Sequence, residues 1–227
     1  MSFREFTKAL RHNDVESNLL KTTFLSLLTS FVLLFFIYYV KLRHVTNFLP
    51  KYGFFLFFAV LSYALIMPSV KYVRTYKEFQ CMSGMMIGMT MGMFSGFLSG
   101  FFIGATNGMF VGSIFGMLVG MFFGIWNGKC CGIMGTMEGM MAGLMGGLMG
   151  AMTAIMMLND NLKAAGIIIF IISAVTMTGL NYMIYKETRG AEVQNRDGDF
   201  FTVFWSLLLT LITLWIMVFG PRSALFQ

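Results

Sequence analysis

Apolar residues in this chain run in long unbroken blocks, and charges mark the ends of each block. Thr22–Val40 is 19 residues without a charge, between Lys21 and Lys41. Tyr52–Val70 is another 19, between Lys51 and Lys71. Ala164–Tyr185 gives 22 between Lys163 and Lys186, and Phe200–Gly220 gives 21 between Asp199 and Arg222. A helix rising ~1.5 Å per residue needs about 20 apolar residues to cross ~30 Å of hydrocarbon. Each block therefore predicts one membrane-spanning helix. Tyr38, Tyr39, Tyr182, Tyr185 and Trp215 lie towards block ends, where amphipathic rings favour the membrane interface.

Between the second and third blocks lies a region of another character, Cys81–Leu158, which holds most of the glycines and methionines and only two charges, Lys129 and Glu138. It is long enough for three crossings. The Asn-Gly steps in Thr106–Gly108 and Trp126–Lys129 are its natural breaks, because glycine after a helix end tolerates a left-handed backbone. The predicted helices are Met82–Gly104, Met109–Trp126 and Gly132–Met157, which makes seven crossings in all.

Composition agrees with this reading. Hydrophobic residues make up 57% of the 227, and only 11% are charged; about a quarter is usual in a globular domain. Too little polar surface remains to cover a water-soluble globule. Basic residues then set the orientation. With the N-terminus inside, Arg4, Lys8, Arg11, Lys21, Lys71, Arg74, Lys77, Lys129, Lys186, Arg189 and Arg196 face the cytoplasm. Lys41, Arg43, Lys51, Lys163 and Arg222 face outwards, and this asymmetry favours N-in, C-out. The net charge of +6 is thus juxtamembrane, with a lipid bilayer as its partner. Scattered as it is, it forms no nucleic-acid footprint. Residues 1–21 mix acids with bases, unlike a cleavable leader, and read as a cytoplasmic segment.

Glycine recurs at every fourth position from Gly84 through Gly132, then resumes after a stutter at Gly135, Gly139, Gly143 and Gly147. Helices in lipid associate through close packing, and small residues four apart open a groove for it. Glycine also weakens a helix by ~1 kcal/mol relative to alanine, so the run makes sense only if neighbouring helices fill the grooves. Gly88, Gly92, Gly96, Gly100, Gly112, Gly116, Gly120, Gly139, Gly143 and Gly147 are the predicted packing positions. A 20-residue internal repeat underlies part of the run: Gly88–Gly108 aligns without gaps on Gly108–Gly128. Twenty helical residues span ~30 Å, so each unit is one crossing with its own Asn-Gly turn. Inverted repeats recur in transporters, though duplication for packing explains this one equally well.

Three groups could carry chemistry. Met134, Met137, Met141, Met145, Met149, Met152 and Met156 recur at steps of three or four, forming one stripe on the fifth helix, and Met85, Met89 and Met93 form a shorter one on the third. Thioether sulfur is a soft neutral ligand for Cu(I), yet methionine is also a flexible filler beside small residues. Cys81, Cys130 and Cys131 fall at the cytoplasmic ends of the third to fifth helices, as thiols for a soft cation or as small apolar residues. Glu138 is the one acid inside a predicted span. Such a group faces a cavity or partner, or pairs with Lys129 nine residues earlier. His12 and His44, the two histidines, lie outside the spans, and no nucleophile triad, HExxH, phosphate loop or dinucleotide fingerprint occurs. An enzyme is not expected.

Met-x-x-x-Met at Met85–Met89 and Met137–Met141–Met145, beside the glycine series, resembles the Ctr copper-uptake family, whose small trimeric members line a Cu(I) pore with methionine rings. The resemblance implies Cu(I) as the ion and homo-oligomeric packing. It carries no fold, since those proteins have three spans, a Met-rich extracellular tail and a Cys/His-rich C-terminus. Met137–Met152 is also similar to glycine- and methionine-rich stretches of prokaryotic membrane proteins, some joined to copper-associated domains, which implies a prokaryotic plasma membrane.

The sequence thus predicts an all-α polytopic membrane protein of about seven helices: a cytoplasmic segment (1–21), an N-terminal hairpin (22–70), a three-helix glycine-zipper core (82–157) and two C-terminal helices (164–220). The leading function is passage of a small cation, Cu(I) first, along Met137, Met141, Met145, Met149, Met85 and Met89, with Glu138 and the cysteines at the inner mouth. The alternative is a non-transporting scaffold, a homo-oligomer or a subunit beside another membrane protein, whose glycines serve packing alone.

Overall fold

In the computed structural model, residues 17–40, 52–75, 79–187 and 199–221 are described. They form α1 (Ser17–Val40), α2 (Phe54–Thr75), α3 (Cys81–Asn107), α4 (Met109–Gly128), α5 (Gly132–Met156), α6 (Leu162–Glu187) and α7 (Asp199–Phe219), with a single 3-10 turn, Lys129–Cys131, before α5. No strand occurs among the described residues. Helices α2 to α6 are long and apolar enough to cross a membrane, and α1 and α7 contribute the apolar stretches Lys21–Ile37 and Val203–Phe219. The protein is an all-α, polytopic integral membrane protein. His12, His44 and many of the orientation charges lie outside the described residues.

Several boundaries run past expectation, α3 for one continuing beyond Gly104 to Asn107. The first Asn-Gly step does break the chain: Gly108 stands at φ 108° between α3 and α4, a conformation that suits glycine. The second also breaks it, at the far edge of Trp126–Lys129. Asn127 remains helical, its Nδ2 donating to the Phe123 carbonyl one turn back (2.9 Å), and α4 continues through Gly128. Reversal falls instead on the 3-10 turn and on Gly132 at φ 69°. Helix α2 also runs past Val70 to Thr75, because its terminal cations find partners beside the bundle. The Lys71 ammonium donates to Thr22 Oγ1 (3.3 Å), and the Arg74 guanidinium lies 5.2 Å from the Trp126 ring centre.

Large buried side chains concentrate on α2 and α3, among them Tyr63, Met67, Met91, Leu98, Phe101 and Phe102. Helix α2 packs against α1, α3, α6 and α7, whereas α5 packs mainly against α3 and α4. Stripes of small hydroxyl residues bring the outer helices together: Thr22, Ser26 and Ser30 on α1, and Ser206, Thr210 and Thr213 on α7, all buried. Small residues one turn apart allow the same close approach as glycine, less extremely.

The two repeat units share their glycine face and differ on the other. Leu98 of the first unit is fully buried, whereas its counterpart Leu118 is 59% exposed. Phe102 and Phe122 divide the same way. The first unit sits between the glycine core and the outer helices, and the second has one side open. Identical sequence positions therefore serve core and periphery.

Candidate functional site: a glycine core and an outward sulfur face

Helices α3, α4 and α5 meet backbone to backbone in regular layers. Gly88, Gly128 and Gly135 form one, followed by Gly92–Gly124–Gly139, Gly96–Gly120–Gly143 and Gly100–Gly116–Gly147. Gly104 and Gly112 close the stack against Ala151. Pairs between α3 and α4 are symmetric about Gly108, so the hairpin is antiparallel in constant register, while α3 and α5 run parallel. Layers four residues apart are ~6 Å apart, and five of them cover about 24 Å, most of the hydrocarbon thickness. A Cβ added at Gly92 would stand 2.6 Å from the Gly139 carbonyl oxygen, and one at Gly116 would stand 2.9 Å from the Gly147 Cα. Backbone cannot yield as a flexible side chain can, so no other residue fits.

All ten predicted packing glycines lie in these layers. Gly104, Gly124, Gly128 and Gly135 belong to them too, and the four-residue register already pointed there. Gly146 and Gly150 escaped the sequence reading because they fall off that register. They form a second row on α5, against the backbones of Met93 and Phe97 of α3. The stutter before Gly135 has a geometric cause: chain reversal resets the count so that Gly135 falls opposite Gly128.

On α5 the opposite face carries the methionines. Met137 is 55% exposed, Met141 63%, Met145 58% and Met149 54%, and Met134, Met152 and Met156 follow suit. On α3, Met89 and Met93 are exposed and Met85 half-buried. Among the described residues these methionines therefore line no path within one chain. One 3.6-residue helix cannot aim both its glycines and its methionines inward, and the interior is filled by glycine backbone.

Glu138 shares that outward face, flanked by Met134, Met141 and Met145 at helical spacing. It sits six residues, ~9 Å, into α5. Among the described residues it has no hydrogen-bond or ion-pair partner, and Lys129 does not reach it.

Cys81 and Cys131 converge from fifty positions apart in sequence. The Cys131 thiol donates to the Cys81 carbonyl oxygen (2.8 Å) and lies 3.7 Å from that of Gln80. Burial raises the Cys131 pKa above its ordinary value, as does the neighbouring Cys81 thiol, while backbone N–H groups of Met85 and Gly84 pull the other way. Both thiols are free. The side chain of Cys130 lies outside the described residues. Among those described, no cluster of three or more His, Cys, Asp or Glu assembles a metal site. The same end of the bundle is tied by the Gln80 N–H, which donates to Glu187 Oε1 (3.0 Å) and so anchors α6 to the start of α3.

No protein-family model, curated protein or solved structure matches the chain.

Proposed function

We propose that this integral membrane protein is a non-catalytic assembly subunit whose glycine core is a rigid platform, and that a second copy docks on the outward sulfur face of α5. The observation that carries this reading is Glu138. An ionisable side chain on an outward face is costly if lipid covers it, by roughly 2.5–3.5 kcal/mol at a helix centre on insertion scales and by less a turn and a half from the end, where Glu138 stands. A facing copy removes that cost by giving the carboxyl a hydrogen-bonding partner and shielding it from acyl chains. Methionine suits such a surface, because its flexible thioether adapts to an opposing copy. A prokaryotic plasma membrane is the setting that the sequence resemblance favours.

A second reading is passage of a soft monovalent cation, Cu(I) first, between copies. It is favoured by the continuous line of Met137, Met141, Met145 and Met149 with Glu138 beside it, a ladder of neutral soft ligands with one acid. The two readings share an interface and differ in what crosses it.

Cross-linking in native membranes tests the interface. In a background with Cys81, Cys130 and Cys131 replaced by serine, Met141→Cys and Met145→Cys should form covalent dimers under mild oxidation. Ile168→Cys and Val175→Cys, equally exposed on α6, should not. Equal cross-linking at α6, or none at α5, rejects the assembly. Proteoliposome flux of Cu(I) that disappears in Met141→Leu with Met145→Leu, while the Met149→Cys cross-link persists, selects the second reading.

A further inference from the structure

We propose that Cys81 and Cys131 form a two-thiolate site for a soft monovalent cation, Cu(I) or its analogue Ag(I), at the membrane surface. The site is separate from the α5 interface and stands whether or not copies associate there. Cys81 opens α3 and Cys131 immediately precedes α5, and both helices are clamped at the same glycine layer, Gly88–Gly128–Gly135. Their separation is therefore set by rigid backbone contact. Gly135 contributes directly: a Cβ there would come within 3.0 Å of the Cys131 Cβ, so the missing side chain is what lets Cys131 lie over the start of α3.

The chemistry of this pair selects its ligand. Thiolates prefer soft cations, and a structural zinc needs four ligands where the described residues offer two. A monovalent d10 ion accepts two-coordination. Binding displaces one proton from each thiol and leaves a site of net charge −1. Cys131 lies against the N-terminus of α3, its thiol donating to the Cys81 carbonyl oxygen, and a helix N-terminus favours negative charge. Exposed Lys129 stands two residues before Cys131. Surface placement gives an ion access from water without entering the glycine core.

Competition between the full-length purified protein and a chromophoric Cu(I) chelator tests the site. One equivalent should bind per chain, and Cys81→Ser or Cys131→Ser should each weaken binding about 100-fold or more. Cys130→Ser and Met141→Leu should stay within about threefold of the parent. Protection of the unaltered protein guards against variants that fail to fold. One equivalent of Ag(I) should block maleimide labelling of Cys81 and Cys131 and leave Cys130 reactive. Cys81→Ser binding within threefold of the parent, loss of binding on Met141→Leu, or unprotected Cys81 and Cys131 would each overturn the proposal.

Discussion

Gly120 and Gly96 face each other across the α3–α4 hairpin so closely that a Cβ on Gly120 would stand 2.8 Å from the Gly96 Cα. The same added atom would stand 2.7 Å from the Gly143 carbonyl oxygen of α5. One methyl group would thus press on two other helices at once, on backbone in each case.

Gly120→Ala should therefore destabilise the protein although alanine is the better helix former. Overpacking of this kind costs about 1–3 kcal/mol, more than the ~1 kcal/mol that alanine returns in helix propensity. Gly179→Ala on α6 is the matched control, since nothing lies within 4 Å of its added Cβ. That variant should be neutral or slightly more stable. Thermal unfolding in detergent, compared between the two, measures both signs. Equal stabilisation by both would mean the layers are looser than the structure describes.

The glycine layers were legible because their period, four, is nearly the period of the helix, and a register cannot be kept over three helices without a packing partner. Spacing alone could not say which way the other face looks. Met145 and Gly143 are two residues apart on one helix, so they must point to different sides, and the glycines decide which side is inside. The second Asn-Gly step marked the end of α4 only to within two residues, because the Asn127 side chain is bonded back to Phe123 and the helix runs on through Gly128. The Cys81–Cys131 meeting is a tertiary event between distant segments, and no local pattern encodes it. The buried hydroxyl stripe of Ser26 and Ser30 was present at four-residue spacing, masked by apolar neighbours.

Gly132 offers the converse of Gly179. Its added Cβ also meets nothing within 4 Å, yet its φ is +69°. An L residue is strained there by roughly 1–3 kcal/mol, so Gly132→Ala should destabilise by about that amount despite open space. Gly132→Asn should lose about as much, because ψ at this position is −147°, outside the left-handed helical region that asparagine tolerates. Unfolding midpoints that place Gly well above both Asn and Ala would verify that backbone conformation, not crowding, fixes the start of α5.

Asn107 ties the end of α3 to α7, its Nδ2 donating to the Ile216 carbonyl (2.7 Å). That carbonyl also accepts from the Gly220 N–H (2.8 Å), so it is not orphaned when Asn107 is removed. Thr106 Oγ1, which donates to Asn107 Oδ1 (2.9 Å), keeps the Ile103 carbonyl as acceptor, so Asn107→Ala should cost about 0.5–1.5 kcal/mol, the net worth of the inter-helix hydrogen bond, and should loosen α7 without disturbing the glycine core. Hydrogen exchange checks the location: faster exchange confined to the C-terminal turn of α7, with α3 to α5 unchanged.

Reactivity of Cys131 should follow pH in a way that reports its neighbour. Its pKa is raised, by burial first and then by the Cys81 thiol. Alkylation proceeds through the thiolate, so below the raised pKa Cys131 reacts more slowly than an unperturbed thiol, and its rate goes on rising at pH values where the free thiol has levelled off. Cys81→Ser removes both contributions of that neighbour, so the pKa should fall and the alkylation profile should move to lower pH. Stopped iodoacetamide labelling of a Cys130→Ser protein, read by peptide mass at a series of pH values, gives the profile. An unchanged profile after Cys81→Ser would show that the two thiols do not sense each other. The same labelling with a membrane-impermeant maleimide on sealed vesicles gives the orientation. Cys131 should react in inside-out vesicles and stay silent in right-side-out ones, because the basic residues favour a cytoplasmic N-terminus and three crossings return the chain to the outer face before α4 brings it back.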